Sequence, residues 1–404
     1  MFVRGSFKFL GTRKMVSTKL LVLVGLLIGL SRFSLVKLEE TTQTSSGTHC
    51  HFPAIYNFGD SNSDTGGGSA AFYRSGNPSG ETFFHKPAGR ASDGRLIIDF
   101  FADQLGLPFL SGYLDTIGTS YRHGANFAIG SATIRPQIKT MPLGDSSPFS
   151  LDIQTLHFDK FKSRTTDLFN QTLRKCERRR MPRPKDFAKA LYTFDIGQND
   201  IARGMNTMSI AQVVGQIPDM VNQLATAIEN VYQQGGRTFW IHNTGPLGCL
   251  PVTTHYYHNP PAGILDENGC LREQNEVAME FNKQLKAKVV QLRGLLPDAA
   301  LVYVDMYAAK FGLIGSAKEQ GFVDSDKVCC GYHEDDTHVY CGNKGLVNGT
   351  DFYAASCKDP ASYIFWDGVH YTDAANHWLA HHVGSGSYSD PPVHLKQACH
   401  GQVL

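Results

Sequence analysis

Ala54-Ile55-Tyr56-Asn57-Phe58-Gly59-Asp60-Ser61-Asn62-Ser63-Asp64-Thr65-Gly66-Gly67-Gly68 is the stretch whose reading decides the fold. Its first five residues are mostly apolar and aromatic, the composition of a buried strand. Gly59-Asp60 then breaks the strand into a tight turn. Ser61 stands at the tip of that turn, where a helix can begin and a hydroxyl can leave the sheet edge towards a ligand. A serine so placed is a candidate nucleophile. Taken alone it reads first as a helix cap following a strand, and the choice turns on the rest of the chain.

Outward from this stretch, the strand pattern recurs at Tyr121–Ile129, Ala190–Ile196, Thr238–His242 and Ala300–Val304. Helical periodicity separates these runs. Ser92-Asp93 can cap a helix reaching Leu105, with Ile97, Phe100, Phe101 and Leu105 on its apolar face. Leu151–Phe169, Ile210–Tyr232, Cys270–Leu295 and Thr372–Val383 are further helices, the second with Val213, Ile217, Val221, Leu224 and Ile228 on one face. Alternating strands and long helices imply about five parallel strands with helical crossovers, in one doubly wound α/β domain. Such sheets bind ligands beyond the carboxyl ends of their strands, where Ser61, Gly130 and Asn199 all fall.

Composition narrows the function. The 404 residues are 42% hydrophobic and 19% charged with net charge +1, so no long-range field argues for nucleic acid or an anionic membrane. Arg4, Lys8, Arg13, Lys14 and Lys19 precede the apolar run Leu20–Leu30, and Gly29-Leu30-Ser31 offers a small-residue cleavage site. This is the layout of a secretory signal peptide over residues 1–31, with Met15 as an alternative start. The run is too short for a comfortable membrane span, although an uncleaved anchor is the competing reading. A polar leader over residues 32–50 follows. The Arg178-Arg179-Arg180 stretch reads as an exposed loop, ahead of an interaction or processing site.

Secretion sets the reading of the nine cysteines, most of which should pair in an oxidising compartment, with an odd one left over. Cys329, Cys330, Cys341 and Cys357 cluster. A zinc site with His333 or His338 is the sharper alternative there, but the spacing matches no standard ligand pattern. Asn170-Gln171-Thr172 and Asn348-Gly349-Thr350 are glycosylation acceptors in a secreted chain.

The chemistry lies in Trp366-Asp367-Gly368-Val369-His370. Histidine is the usual base for a nucleophilic serine near neutral pH, and a carboxylate must hold the ring in the right tautomer. Asp367 and His370 are three residues apart, so a turn through Gly368 can join them. A chance pair is the alternative in a chain with sixteen histidines. Acyl transfer also needs donors for the developing oxyanion. Asn199 offers a side-chain amide, unless it is only a strand-end turn residue, and Gly130 and Ser61 offer backbone N–H groups.

Together these residues carry a resemblance. Phe58-Gly59-Asp60-Ser61, Gly124-Ala125-Asn126-Phe127-Ala128, Gly197-Gln198-Asn199-Asp200 and Asp367-Gly368-Val369-His370 occur in that order. The set resembles the plant GDSL esterase/lipase family of SGNH hydrolases. Gly245-Pro246-Leu247-Gly248-Cys249 sharpens the match, and Cys329-Cys330-Gly331 and Asn62-Ser63-Asp64 point to its early-nodulin/fucosidase-like branch. The resemblance covers residues 52–385. It implies a single flavodoxin-like α/β/α sandwich, with a hydrolase domain over residues 51–390, no metal and no cofactor. It further implies Ser61 as nucleophile, Gly130 and Asn199 in the oxyanion hole, and Asp367 and His370 completing a triad. Two departures stand out. Asn62 replaces the usual leucine, and Ala128-Ile129-Gly130-Ser131 stands where relatives often have adjacent glycines, which makes Ser131 a competing donor. No G-x-S-x-G elbow occurs, against the larger α/β-hydrolase fold.

The reading is thus a secreted serine esterase acting on a small-molecule or polysaccharide ester through an acyl-enzyme. Its rivals are a catalytically silent carbohydrate- or lipid-binding glycoprotein on the same fold, and a glycosidase. The last would need two acids flanking a sugar, where one catalytic carboxylate is in view.

Overall fold

The computed structural model describes residues 49–72, 74–141, 146–255, 261, 263–323, 327–334 and 337–400. The signal peptide and nearly all of the leader lie outside these residues. Five parallel strands form the sheet: β1 (Ile55–Gly59), β2 (Gly124–Asn126), β3 (Leu191–Asp195), β4 (Thr238–His242) and β5 (Ala300–Val304). Two hairpins follow, β6 (Tyr332–Glu334) with β7 (Thr337–Val339) and β8 (Lys344–Val347) with β9 (Thr350–Tyr353). A sixth sheet strand, β10 (Ser389–Asp390), pairs antiparallel with β5. The order β10-β5-β4-β3-β1-β2 reverses direction at β1, and the crevice at that switch lies over the end of β1.

The strands are apolar on both faces because both faces are covered. Tyr56, Phe58, Tyr192, Phe194, Phe239 and Ile241 point to one core, shared with helices Leu151–Gln171, Ile210–Gln233 and Arg272–Leu295. Ile55, Leu191, Trp240, Val302 and Val304 point to the other, under helices Ile97–Gln104, Met306–Gly315 and Asp373–Gly384. Phe58 stacks between Phe127 and Phe194 at 5.4 and 4.9 Å. The strand that carries the Ser61 turn is therefore wedged by aromatic rings on both sides.

Three local expectations change. The strand expected over Tyr121–Ile129 is regular only at Gly124–Asn126, although Phe127 and Ile129 still donate to Asn57 and Gly59 of β1. The helix expected from Ser92-Asp93 starts at Ile97, because Asp99 Oδ2 accepts the Leu96 N–H at 3.0 Å. Asp93 instead accepts the Asp373 N–H at the head of the last helix. No helix begins at Ser61: residues 61–63 are a turn, and the next helix is Gly67–Ala71.

Disulfides join Cys50 to Cys399, Cys249 to Cys270, Cys329 to Cys357 and Cys330 to Cys341, leaving Cys176 exposed and free. The four clustered cysteines are thereby consumed, and the neighbouring histidines hydrogen-bond each other, His333 Nδ1 to His338 Nδ1 at 3.0 Å. The Cys50–Cys399 bond ties the segment after residue 390 to the domain, where Leu395 and Ala398 are buried. Among the described residues no helix is long and apolar enough to cross a membrane.

Candidate active site

The site begins where β1 ends. Gly59 is gripped on both sides by Gln154: its N–H donates to Oε1 at 2.9 Å, and its carbonyl accepts from Nε2 at 2.8 Å. The Asp60 N–H donates to the Asp195 carbonyl on β3 at 3.2 Å. A buried amide ladder supports the next turn. Thr193 Oγ1 donates to Asn57 Oδ1 at 2.6 Å, Asn57 Nδ2 to Asn126 Oδ1 at 2.8 Å, and Asn126 Nδ2 to the Ser63 carbonyl at 2.6 Å. Ser61 is thus held by strand, helix and ladder together, with its own side chain half-buried.

Ser61 Oγ lies 2.8 Å from His370 Nε2. His370 Nδ1 lies 2.8 Å from Asp367 Oδ2 and 3.0 Å from Oδ1. Oδ1 also accepts the N–H groups of Val369 and His370, at 2.8 and 2.7 Å. The turn through Gly368 therefore fixes the carboxylate before it meets the ring. Nδ1–H then donates to Asp367, which leaves Nε2 as acceptor for the serine hydroxyl. The loop rests on buried Trp366, whose backbone N–H donates to the His370 carbonyl at 2.8 Å. The Cys330–Cys341 and Cys329–Cys357 bridges pack against the same indole.

The electrostatics suit proton transfer. Burial disfavours the charged form of His370, but the attraction and hydrogen bond of Asp367 outweigh it and raise the ring above its ordinary range. Burial likewise pushes Asp367 up, and His370 with the turn N–H groups brings it below the usual carboxylate range. Behind Ser61, burial and then the neighbouring Asp195 raise Asp60 to about 6.

Two of the donors expected at the oxyanion position, Gly130 and Asn199, are already engaged. Gly130 N–H donates to Asp64 Oδ2 at 2.8 Å, and the same carboxylate accepts from Gly66, Gly67 and Gly68. Asn199 is not a strand-end turn residue but lies in the first turn of helix Gln198–Thr207. Its Nδ2 donates to the Ala132 carbonyl at 3.0 Å and to Asp60 Oδ2 at 3.2 Å. Among the described residues the N–H groups of Ser61 and Ser131 have no acceptor, and Ser131 holds φ 61. Ser61, Gly130, Ser131, Tyr340, Trp366 and Asp367 line a cavity of about 330 Å³.

The structure thus gathers Ser61, Gly130, Asn199, Asp367 and His370 around the end of β1. Asn170 and Asn348 lie away from it, exposed in the last turn of helix Leu151–Gln171 and at the tip of the β8–β9 hairpin. Sequence reading missed Gln154, Asn57, Asn126, Asp60 and Asp64 as the groups that hold the site. Asn126 stood in a quoted motif, and buried polar residues flanking the Ser61 turn were the available sign for the two acids.

The chain matches the family model of GDSL-like lipase/acylhydrolase over residues 55–383. It is 55% identical over 362 residues to the GDSL esterase/lipase At5g14450 of Arabidopsis thaliana, covering 90% of this chain and 93% of that one. It is 47% identical to the GDSL esterase/lipase ACHE of Zea mays, covering 89% of this chain and 92% of the relative. It is 45% identical to the GDSL esterase/lipase ENOD8 of Medicago truncatula, covering 87% and 91%. The mostly parallel six-stranded sheet flanked by helices agrees with this match, and the chain belongs to the GDSL-like lipase/acylhydrolase family as a hydrolase of the SGNH type.

Proposed function

We propose that the protein is a secreted, glycosylated serine esterase that hydrolyses carboxylic esters through an acyl-enzyme. Ser61 attacks the ester carbonyl while His370 takes its proton at Nε2. His370 returns that proton to the leaving alcohol, then deprotonates the water that releases the acid. Asp367 keeps the ring in the accepting tautomer and stabilises its protonated form. The oxyanion is received by the Ser61 N–H, the Asn199 amide and the Gly130–Ser131 backbone, where the Gly130 N–H is shared with Asp64.

One observation carries this reading: the unbroken 2.8 Å path from Ser61 Oγ through the His370 ring to Asp367, at the wall of a cavity. The organisation proposed is a signal peptide over 1–31, a leader over 32–50 and a hydrolase domain over 51–390. Four disulfides support an oxidising destination, and exposed Asn170 and Asn348 are accessible to glycosylation. Kinetics on p-nitrophenyl esters of graded chain length test the proposal. Turnover by the wild type that vanishes in folded Ser61→Ala is expected; turnover that survives the substitution refutes it.

A further inference from the structure

Asp60 is buried, and the two oxygens of its carboxylate serve different parts of the chain. Oδ1 serves its own turn. It accepts the Asn62 backbone N–H and the Asn62 amide, both at 3.0 Å. That is the ordinary use of an aspartate in a tight turn. Among the described residues Oδ2 makes no hydrogen bond within the turn. It accepts instead from Gln198 Nε2 at 3.3 Å and from Asn199 Nδ2 at 3.2 Å, 138 and 139 residues along the chain. Gln198 also reaches Oδ1 at 3.3 Å.

Gln198 and Asn199 open helix Gln198–Thr207, which no side chain caps through a hydrogen bond. Two carboxylates tether its first turn. Asp60 takes the amides of Gln198 and Asn199. Asp200 takes the backbone N–H groups of Ile134 and Arg135 at 2.8 and 3.2 Å, which ties the helix to the segment after Ser131. Asp60 also precedes Ser61, so the Ser61 N–H lies on the peptide bond that Asp60 itself begins. One residue thus carries one proposed oxyanion donor and grips another. The grip is loose: N–H bonds to a carboxylate usually measure about 2.7–2.9 Å, so at 3.2 Å the amide is oriented and its hydrogen can still be shared with an oxyanion.

We infer that Asp60 is a positioning residue for ester hydrolysis: its Oδ2 sets where the Asn199 amide stands relative to the Ser61 N–H. The inference rests on the proposed roles of Ser61 as nucleophile and Asn199 as oxyanion donor. An aspartate confined to shaping its turn needs Oδ1 alone. Asp60 acts through Asn199 and not on substrate. The charge that Asn199 meets develops in the transition state, so a misplaced amide raises the barrier and leaves ground-state binding nearly as it was.

A double-mutant cycle with p-nitrophenyl acetate tests this on proteins whose circular dichroism spectra match the wild type. Asp60→Asn keeps the shape of the side chain. The two bonds from Asn62 hold its oxygen, so its amino group faces Asn199, where it cannot accept. It should lower kcat about tenfold or more with KM nearly unchanged. In the Asn199→Ala background the same change should lower kcat less than about twofold, because the group being positioned is gone. If Asp60→Asn does not fold, Asp60→Ser carries the same comparison. An equal loss in both backgrounds, an unchanged kcat in either single variant, or a raised KM at constant kcat overturns the inference and leaves the esterase proposal intact. A wild type without turnover, or turnover that survives Ser61→Ala, overturns both.

Discussion

Replacing Asn199 separates its two bonds from its proposed chemistry. The amide donates to Asp60 at 3.2 Å and to Ala132 at 3.0 Å. In Asn199→Ala, Asp60 keeps Asn62 and Gln198 as donors, so the structural loss is the Ala132 partner, about 1–3 kcal/mol. The catalytic loss should be larger: removing one oxyanion donor costs about 10²–10³ in kcat, roughly 3–4 kcal/mol, with KM nearly unchanged because the charge develops only in the transition state. Asn199→Asp should be worse. A carboxylate oxygen at the 3.2 Å position would meet Asp60 with about 5 kcal/mol of repulsion at an effective dielectric near ~20. The pair relieves this by holding a proton, so its folded pKa rises above the unfolded value and stability falls as pH rises through it. Steady-state kinetics on p-nitrophenyl acetate, with thermal melts at pH 5 and about pH 8, read both effects. Unchanged kcat in Asn199→Ala would reduce Asn199 to a brace between Asp60 and Ala132. A raised KM at constant kcat would make it a substrate-binding residue.

Other perturbations follow from the same geometry. The acid limb of kcat/KM should centre above the ordinary histidine value of about 6.5, because Asp367 outweighs burial at His370; a limb centred below it contradicts that balance. Asp367→Asn, which removes the acceptor that fixes the tautomer, should lower kcat by about 10³–10⁴ with the fold intact by circular dichroism, and a loss under tenfold would not fit. Gln154→Ala strips both bonds from Gly59 and should destabilise the protein by about 2–3 kcal/mol in urea unfolding; an unchanged midpoint would show that the clamp is dispensable.

Much of this architecture is legible in the chain because its strands are short apolar runs buried on both faces and its long helices carry stripes. Ile210–Gln233 buries Val213, Ile217, Val221, Leu224 and Ile228 as its periodicity requires. Met306–Gly315 escapes the same reading because it is apolar on nearly every side, leaving no stripe. Two-residue β10 and the short hairpins lie below the length at which alternation is visible. At the site, Ser61, Asp367 and His370 stand out because a serine after a strand and an Asp-x-x-His pair occur in motif order. Their 2.8 Å spacings do not, since those depend on chain segments about 300 residues apart in sequence meeting at one sheet edge. The engagement of Gly130 by Asp64 and of Asn199 by Asp60 is hidden for the same reason: each donor is named by its motif, but its acceptor is chosen by the fold.

The central claim is that Ser61 is an activated nucleophile, and covalent capture tests it most directly. The folded protein is treated with a fluorophosphonate, digested, and the modified peptide is sequenced by mass spectrometry. The account predicts one stoichiometric adduct on Ser61, absent from Ser61→Ala and strongly slowed in His370→Ala. A folded protein that takes up no probe, or carries it on another residue, would contradict the account.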